Sequence, residues 1–230
     1  MKMYLKKIIT FVGVWALLIF AAGCAQIQRS LDVVGREAIT SFDAVLQAIP
    51  NNLERDEMNG GWSLAAPDGK ARFIWSKDWS RTPIHDVMIE FDASPFIAAG
   101  LNPEILPEHF AYYDGMLVVG TKLGENVLEY SGEPTPLASF EHIVSLSRDS
   151  IGYHPELDHY GINLGNGNMF EWAKDMSVND LDIVFVLNPE PFVAAGVDPN
   201  AVEGWLYAPV EMMGETVYKF LKPFNIFLQS

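Results

Sequence analysis

Cysteine occurs once in the 230 residues, at Cys24, so the chain cannot close an internal disulfide. Positive charge is scarce as well: 15 Lys and Arg stand against 30 Asp and Glu. A surface so acidic repels polyphosphate and anionic lipid headgroups, which excludes nucleic acid as a partner and leaves solubility as the plain role of the acid. Long apolar runs are missing except for thirteen residues, Ile8 to Phe20, and a membrane-spanning helix needs about 17–25. Compact catalytic signatures are absent too. There is no G-x-S-x-G, no H-E-x-x-H, no P-loop and no C-x-x-C. Gly165-Asn166-Gly167 falls in a predicted hairpin turn and is not a phosphate cradle, so no cofactor is called for.

What the chain does contain is one stretch written twice. Residues 86–103 return as residues 182–199, with seven of eighteen positions identical. Each copy reads as a strand running into a short helix. Val87, Ile89 and Phe91 alternate with Met88, Glu90 and Asp92, the period of a half-buried strand. Pro95 suits the first helical turn, Gly100 the left-handed position past the helix end, and Asn102-Pro103 the start of another turn.

The repetition extends outward from there. An amphipathic helix from Ser30, with Leu31, Val34, Ala38, Phe42, Val45, Leu46 and Ile49 on one face, stops at Pro50. Asn51 to Gly61 is polar and turn-rich. Strands are expected at 61–65, 71–76 and 86–91, the first two joined by Pro67-Asp68-Gly69. After the short helix come strands at 110–113 and 116–122, with Asp114-Gly115 a strong hairpin signal between them. The order then starts again: a helix carrying Leu137, Phe140, Ile143, Val144 and Leu146, strands at 160–164, 168–172 and 182–187, a short helix, and strands at 204–210 and 216–220. The expectation is an α+β protein, a tandem duplication of an α-β-β-β-α-β-β unit with mainly antiparallel sheets. Copy one covers 30–131, a linker 132–136, and copy two 137–230. A period near 97 residues is too long for a solenoid, whose repeats run about 20–50.

The amino terminus carries a different kind of signal. Lys2, Lys6 and Lys7 precede the apolar run, and Ala21-Ala22-Gly23 supplies small residues directly before Cys24. Residues 1–25 resemble the lipobox signal of bacterial lipoproteins, with alanine at its first position where leucine is commoner. The resemblance implies cleavage of residues 1–23, diacylglyceryl attachment at Cys24 and acylation of the new amino terminus. It also implies a place in the cell envelope, with the membrane reached through the lipid. Ala25 after the cysteine resembles the default for outer-membrane sorting, facing the periplasm, in a Gram-negative host. Cleavage would leave 12 basic against 30 acidic residues. Residues 24–29 form a tether that reaches about 20 Å at full extension, which holds the domain near the bilayer.

Three groups are candidates for chemistry. His154, Glu156, Asp158 and His159 combine imidazole and carboxylate as divalent-metal sites do, but solvated loop charge is the preferred reading. Trp75, Lys77 and Asp78 recur as Trp172, Lys174 and Asp175, either a stacking platform beside a charged pair or a tryptophan packed under turn residues. The agreement of the copies weighs toward packing. Phe110, Tyr112 and Tyr113, with Trp205 and Tyr207 in copy two, could expose one aromatic face. Two functions survive: a non-catalytic binding or scaffolding module of the envelope, for an envelope protein or a small ligand, or an envelope hydrolase using acidic residues. The first is preferred. The anchor is directly testable. Cys24→Ser should shift the protein from the detergent phase to the aqueous phase on phase partition, or leave it uncleaved. Detergent-phase protein of mature size from the mutant would overturn the lipid reading.

Overall fold

Among the described residues of the computed structural model (33–57, 60–77, 85–123, 133–146, 148–178, 181–212 and 214–228), each half of the chain builds one antiparallel six-stranded sheet. The leader, Cys24, the tether and Asp78 lie outside them. The first half runs α1 (33–48), β1 (Leu53–Arg55), β2 (Trp62–Ala65), β3 (Ala71–Trp75), β4 (Val87–Asp92), α2 (Ser94–Ala98), β5 (Phe110–Tyr113) and β6 (Met116–Thr121). The second runs α3 (Pro136–Leu146), β7 (Ile151–His154), β8 (His159–Gly165), β9 (Asn168–Ala173), β10 (Ile183–Leu187), α4 (Glu190–Ala194), β11 (Leu206–Met212) and β12 (Glu215–Phe224). The strand orders correspond: β1-β2-β3-β4-β6-β5 in the first sheet and β7-β8-β9-β10-β12-β11 in the second. Mixed α+β architecture with antiparallel sheets is therefore observed, but each half has one strand more than expected. The extra strands, β1 and β7, are edge strands of only three and four residues paired to β2 and β8. Leu53 in β1 and Ile151 and Tyr153 in β7 pack on the core, a run too short to stand out as alternation.

The repeated stretch forms the strand, helix and turn expected, but β4 is buried on both faces rather than half-buried, because Met88 and Glu90 are covered on the reverse face. Pro95 sits in the first turn of α2, and Gly100 takes φ +107° just beyond it. Asn102 and Asp198 each accept a hydrogen bond from the backbone two residues on and cap a 3-10 turn. Asp114-Gly115 and Asn166-Gly167 both have positive φ at two successive residues, as two-residue hairpins require.

The apolar faces of both sheets and α1 and α3 belong to one continuous core. Residues at corresponding places in the two halves meet each other inside it. Phe42 and Phe140 stand 3.9 Å apart between ring centroids, Phe73 and Phe170 stack at 4.2 Å, and Phe96 and Phe192 lie at 4.9 Å. The loops after α2 and α4 exchange backbone hydrogen bonds, Asn102 N–H to Ala195 O and Asp198 N–H to Ala99 O, both 2.9 Å. Gly100 and Gly196 touch there so closely that a Cβ on Gly100 would lie 2.6 Å from the Gly196 oxygen. Each long helix is anchored to the sheet of the other half. Trp172 donates its indole N–H to Ser41 Oγ and Tyr160 its hydroxyl to Glu37 on α1. Trp75 donates to Pro136 O on α3, and Ser139 on α3 donates to Ser76 O.

The reverse faces carry smaller buried clusters: Ile74, Met88 and Val118 on the first sheet, and Met169, Val184 and Val186 on the second. Among the described residues no helix is long and apolar enough to cross a membrane.

Phe96→Ala and Phe192→Ala should each cost about 3–5 kcal/mol, as emptied aromatic core sites do. Because the rings touch, the double mutant should depart from additivity by about 0.5–3 kcal/mol in chemical denaturation. Additive losses would show two halves that fold independently.

Candidate functional site

The tryptophans of the repeated pair are core residues. Trp75 and Trp172 are fully buried, packed against Phe42 and Phe140. Lys77 pairs with Glu133 at 2.7 Å, while Lys174 and Asp175 are exposed. Their order along the chain reflects packing under a turn, and no platform faces solvent there. Alternation places Tyr113 on the reverse face of the first sheet, but Phe110 and Tyr112 share the core-side face and differ in exposure. Phe110 and Trp205 are buried, Tyr112 is exposed, and Tyr207 packs against Tyr218 at 4.9 Å. Tyr113 is a structural donor: its hydroxyl, with Arg72 Nε at 2.7 Å, satisfies the buried Glu90 carboxylate on the reverse face of the first sheet.

The histidine group also differs from the loop expected. His154 ends β7 and His159 opens β8, so only residues 155–158 turn between them. Asp158 accepts the Tyr153 hydroxyl, and Glu156 is exposed. Both imidazoles point at Glu171 on β9, His154 Nδ1 at 3.0 Å and His159 Nδ1 at 3.8 Å, the second too long for a hydrogen bond. Gly161 leaves the room: a Cβ there would press within 3.5 Å of Met169, Glu171 and His154. Among the described residues no three His, Cys, Asp or Glu side chains are placed to hold a metal ion together. The pair is electrostatic. The Glu171 hydrogen bond raises the His154 pKa above 6.5 despite burial. Burial works to raise Glu171, but the two imidazoles outweigh it and hold the carboxyl below its ordinary 4.5.

A cleft of about 100 Å³ opens where the halves meet, lined by Asp68, Lys70, Asp92 and Pro95 from the first half and Glu203, Gly204, Trp205 and Lys222 from the second. Its parts come from a hairpin turn, a strand end and a strand. Asp68 and Lys70 sit on the β2–β3 hairpin, whose Ala66 N–H bonds Ala71 O at 2.7 Å. Asp92 ends β4 and is fixed by the Ser94 N–H and hydroxyl at 2.8 and 2.5 Å. Lys222 lies in β12 opposite Phe185, on the core side of the second sheet, and is only 8% exposed. Its ammonium reaches across the junction to Asp68 Oδ2 at 2.6 Å and stands 6.0 Å from the centre of the Trp205 ring. Burial favours a raised Asp68 pKa, but the Lys222 ammonium and the Lys70 backbone N–H overcome it and hold the carboxyl low. The Ser94 hydrogen bonds do the same for Asp92.

At the corresponding places around the other junction only Glu108, the counterpart of Glu203, keeps its charge. Val119 pairs with Ile89 as Lys222 pairs with Phe185. Asn188 stands for Asp92, both two residues before the backbone N–H that each side chain caps. Phe110 faces Phe192 at 5.0 Å as Trp205 faces Phe96 at 5.6 Å. The β8–β9 turn is the uncharged pair Asn166-Gly167. Valine at the Lys222 position is fully buried and fits the fold, so folding does not demand a buried cation there. Of the cleft residues, sequence reasoning singled out Trp205 alone. Aligning the halves and asking where a charge replaces an apolar residue would have found Lys222.

The pH response of the histidine pair follows from its signs. His154, raised when folded, contributes stability in full below about pH 6.5 that is lost as pH rises through its folded value. Glu171, lowered when folded, contributes above about pH 4.5 and loses it as pH falls through its folded value. The Tm difference between the protein and its His154→Gln variant should therefore be widest between about pH 4.5 and 6.5 and shrink on both sides. A difference independent of pH from 4 to 8 would overturn this account of the pair.

Comparison with protein-family models, with curated proteins and with solved structures finds no match.

Proposed function

We propose that the protein is a lipid-anchored binding or scaffolding module of the cell envelope, non-catalytic, with its ligand site in the cleft between the halves. In a Gram-negative host it would face the periplasm from the outer membrane. The same reading takes the two halves as tandem copies of one ancestral unit. Seven identities in the repeated eighteen residues, the corresponding strand orders and the exchanged backbone hydrogen bonds support the duplication.

The observation that carries the binding reading is Lys222. A cation nine-tenths buried at a junction, where the sister position is a core valine, imposes a desolvation cost on folding and furnishes polar contacts in a recess. Hydrolysis by paired carboxyls is less well served. A general acid needs a raised pKa, whereas Asp68 and Asp92 are both held low and stay ionised as contact groups.

A photoreactive residue placed at Lys70, on the cleft rim, tests the reading in intact cells against the same residue at Gln47, exposed on α1. A discrete adduct at position 70 and none at 47 is expected. Equal labelling at the two positions, or none at 70, would remove the cleft as the binding site.

A further inference from the structure

We infer that the cleft recognises a cationic head group, an alkylammonium or guanidinium, borne by a partner's basic side chain or by a small free amine. The inference rests on the cleft being the ligand site and concerns what enters it.

The charge count points this way. Three carboxylates, Asp68, Asp92 and Glu203, line the recess with two ammonium groups, Lys70 and Lys222. Lys222 is already committed to Asp68 at 2.6 Å, so an incoming anion would have to break a short pair whose cation is buried. Among the described residues Asp92 takes the Ser94 N–H and hydroxyl on its Oδ1, which leaves Oδ2 as an acceptor. Glu203 is exposed on the opposite wall. A cation between these two meets opposite charge from both halves. The Trp205 indole beside it supplies the negative ring face that cations favour. Lys222 already stands over that ring at 6.0 Å, so the protein's own ammonium shows the environment to be compatible with a cation. The wider field agrees: with 30 acidic against 15 basic residues the whole chain draws cations and turns anions away. Size sets the other limit. About 100 Å³ is too small for a cofactor or an oligosaccharide and suits the end of one side chain.

The test follows the Trp205 indole N–H signal by NMR in the full mature protein, assigned with Trp205→Phe. Probes are n-butylammonium, n-butylguanidinium, butyrate, and a short peptide with one central lysine, each against equal sodium chloride. Saturable shifts with the two cations or with the peptide, and none with butyrate, are expected. They should lie in the millimolar range that a handful of non-hydrogen atoms can supply. The double variant Asp92→Asn, Glu203→Gln should weaken them at least tenfold; the asparagine keeps the Oδ1 acceptor for Ser94, and an unchanged Tm checks the fold. Saturation by the peptide alone assigns the head group to a partner polypeptide, and equal response to butylammonium assigns it to a free amine. Saturation by butyrate but by neither cation nor peptide overturns the cationic class and leaves the cleft as a site. No saturable shift with any probe overturns both.

Discussion

Phe73 lies flat on Phe170, centroids 4.2 Å apart and planes within 5°, and this stack joins the two sheets at the centre of the core. On one side Phe42 meets Phe140, and elsewhere in the same core Phe96 meets Phe192. Each pair unites corresponding residues, so the rings of one half are completed by those of the other. Such contacts contribute about 0.5–1.5 kcal/mol each beyond their buried area. More important is what they prevent. A half of about 100 residues has a modest core of its own. Parting the halves would expose Phe73, Phe96, Phe170 and Phe192, all now fully buried. The anchoring of α1 to the second sheet and of α3 to the first ties the same knot from the helix side.

Much of this was legible because the sequence states it twice. Pro95 and Pro191, Gly100 and Gly196, and the alternation in β4 each constrain local geometry by themselves. Ten of the twelve strands were foreseen at their places, within a few residues at their ends. The two missed strands, β1 and β7, are too short for a periodic signal: three and four residues, with Leu53 in one and Ile151 and Tyr153 in the other packed on the core. The helix exchange was invisible for a related reason. Amphipathic spacing shows that Phe42 and Phe140 face a core, and does not show whose core it is. The cleft was illegible because its members are scattered from Asp68 to Lys222, a separation of 154 residues, and only the closed junction gathers them.

The halves agree where they share a core and differ where they do not. Glu171 replaces Ile74 on the reverse faces, and Glu90 faces the place of Val186. Each buried carboxylate has its own partners, two imidazoles in one case and Arg72 with Tyr113 in the other. Phe73 and Phe170 touch, so the size of one ring constrains the other. On the reverse faces and rims the charges differ from one half to the other. Lys222 stands at the limit of this pattern, on the core side of its sheet yet close enough to the rim to reach Asp68.

On the proposed reading, that position would link ligand binding to the joining of the halves. Asp68 and Asp92 move with the first sheet, and Glu203, Trp205 and Lys222 with the second. A cation held between Asp92 and Glu203 would touch both, so it would bind the joined state and not the parted one. Its free energy would then add to the junction by RT ln(1 + [L]/Kd), a term that grows with ligand concentration. The Lys222–Asp68 pair performs part of this work without a ligand, because one ammonium already bridges the sheets. The cleft is therefore set before anything enters it, and an arriving cation need not order the walls it meets. Little binding energy would be lost to reorganisation, which would let so small a recess hold a head group.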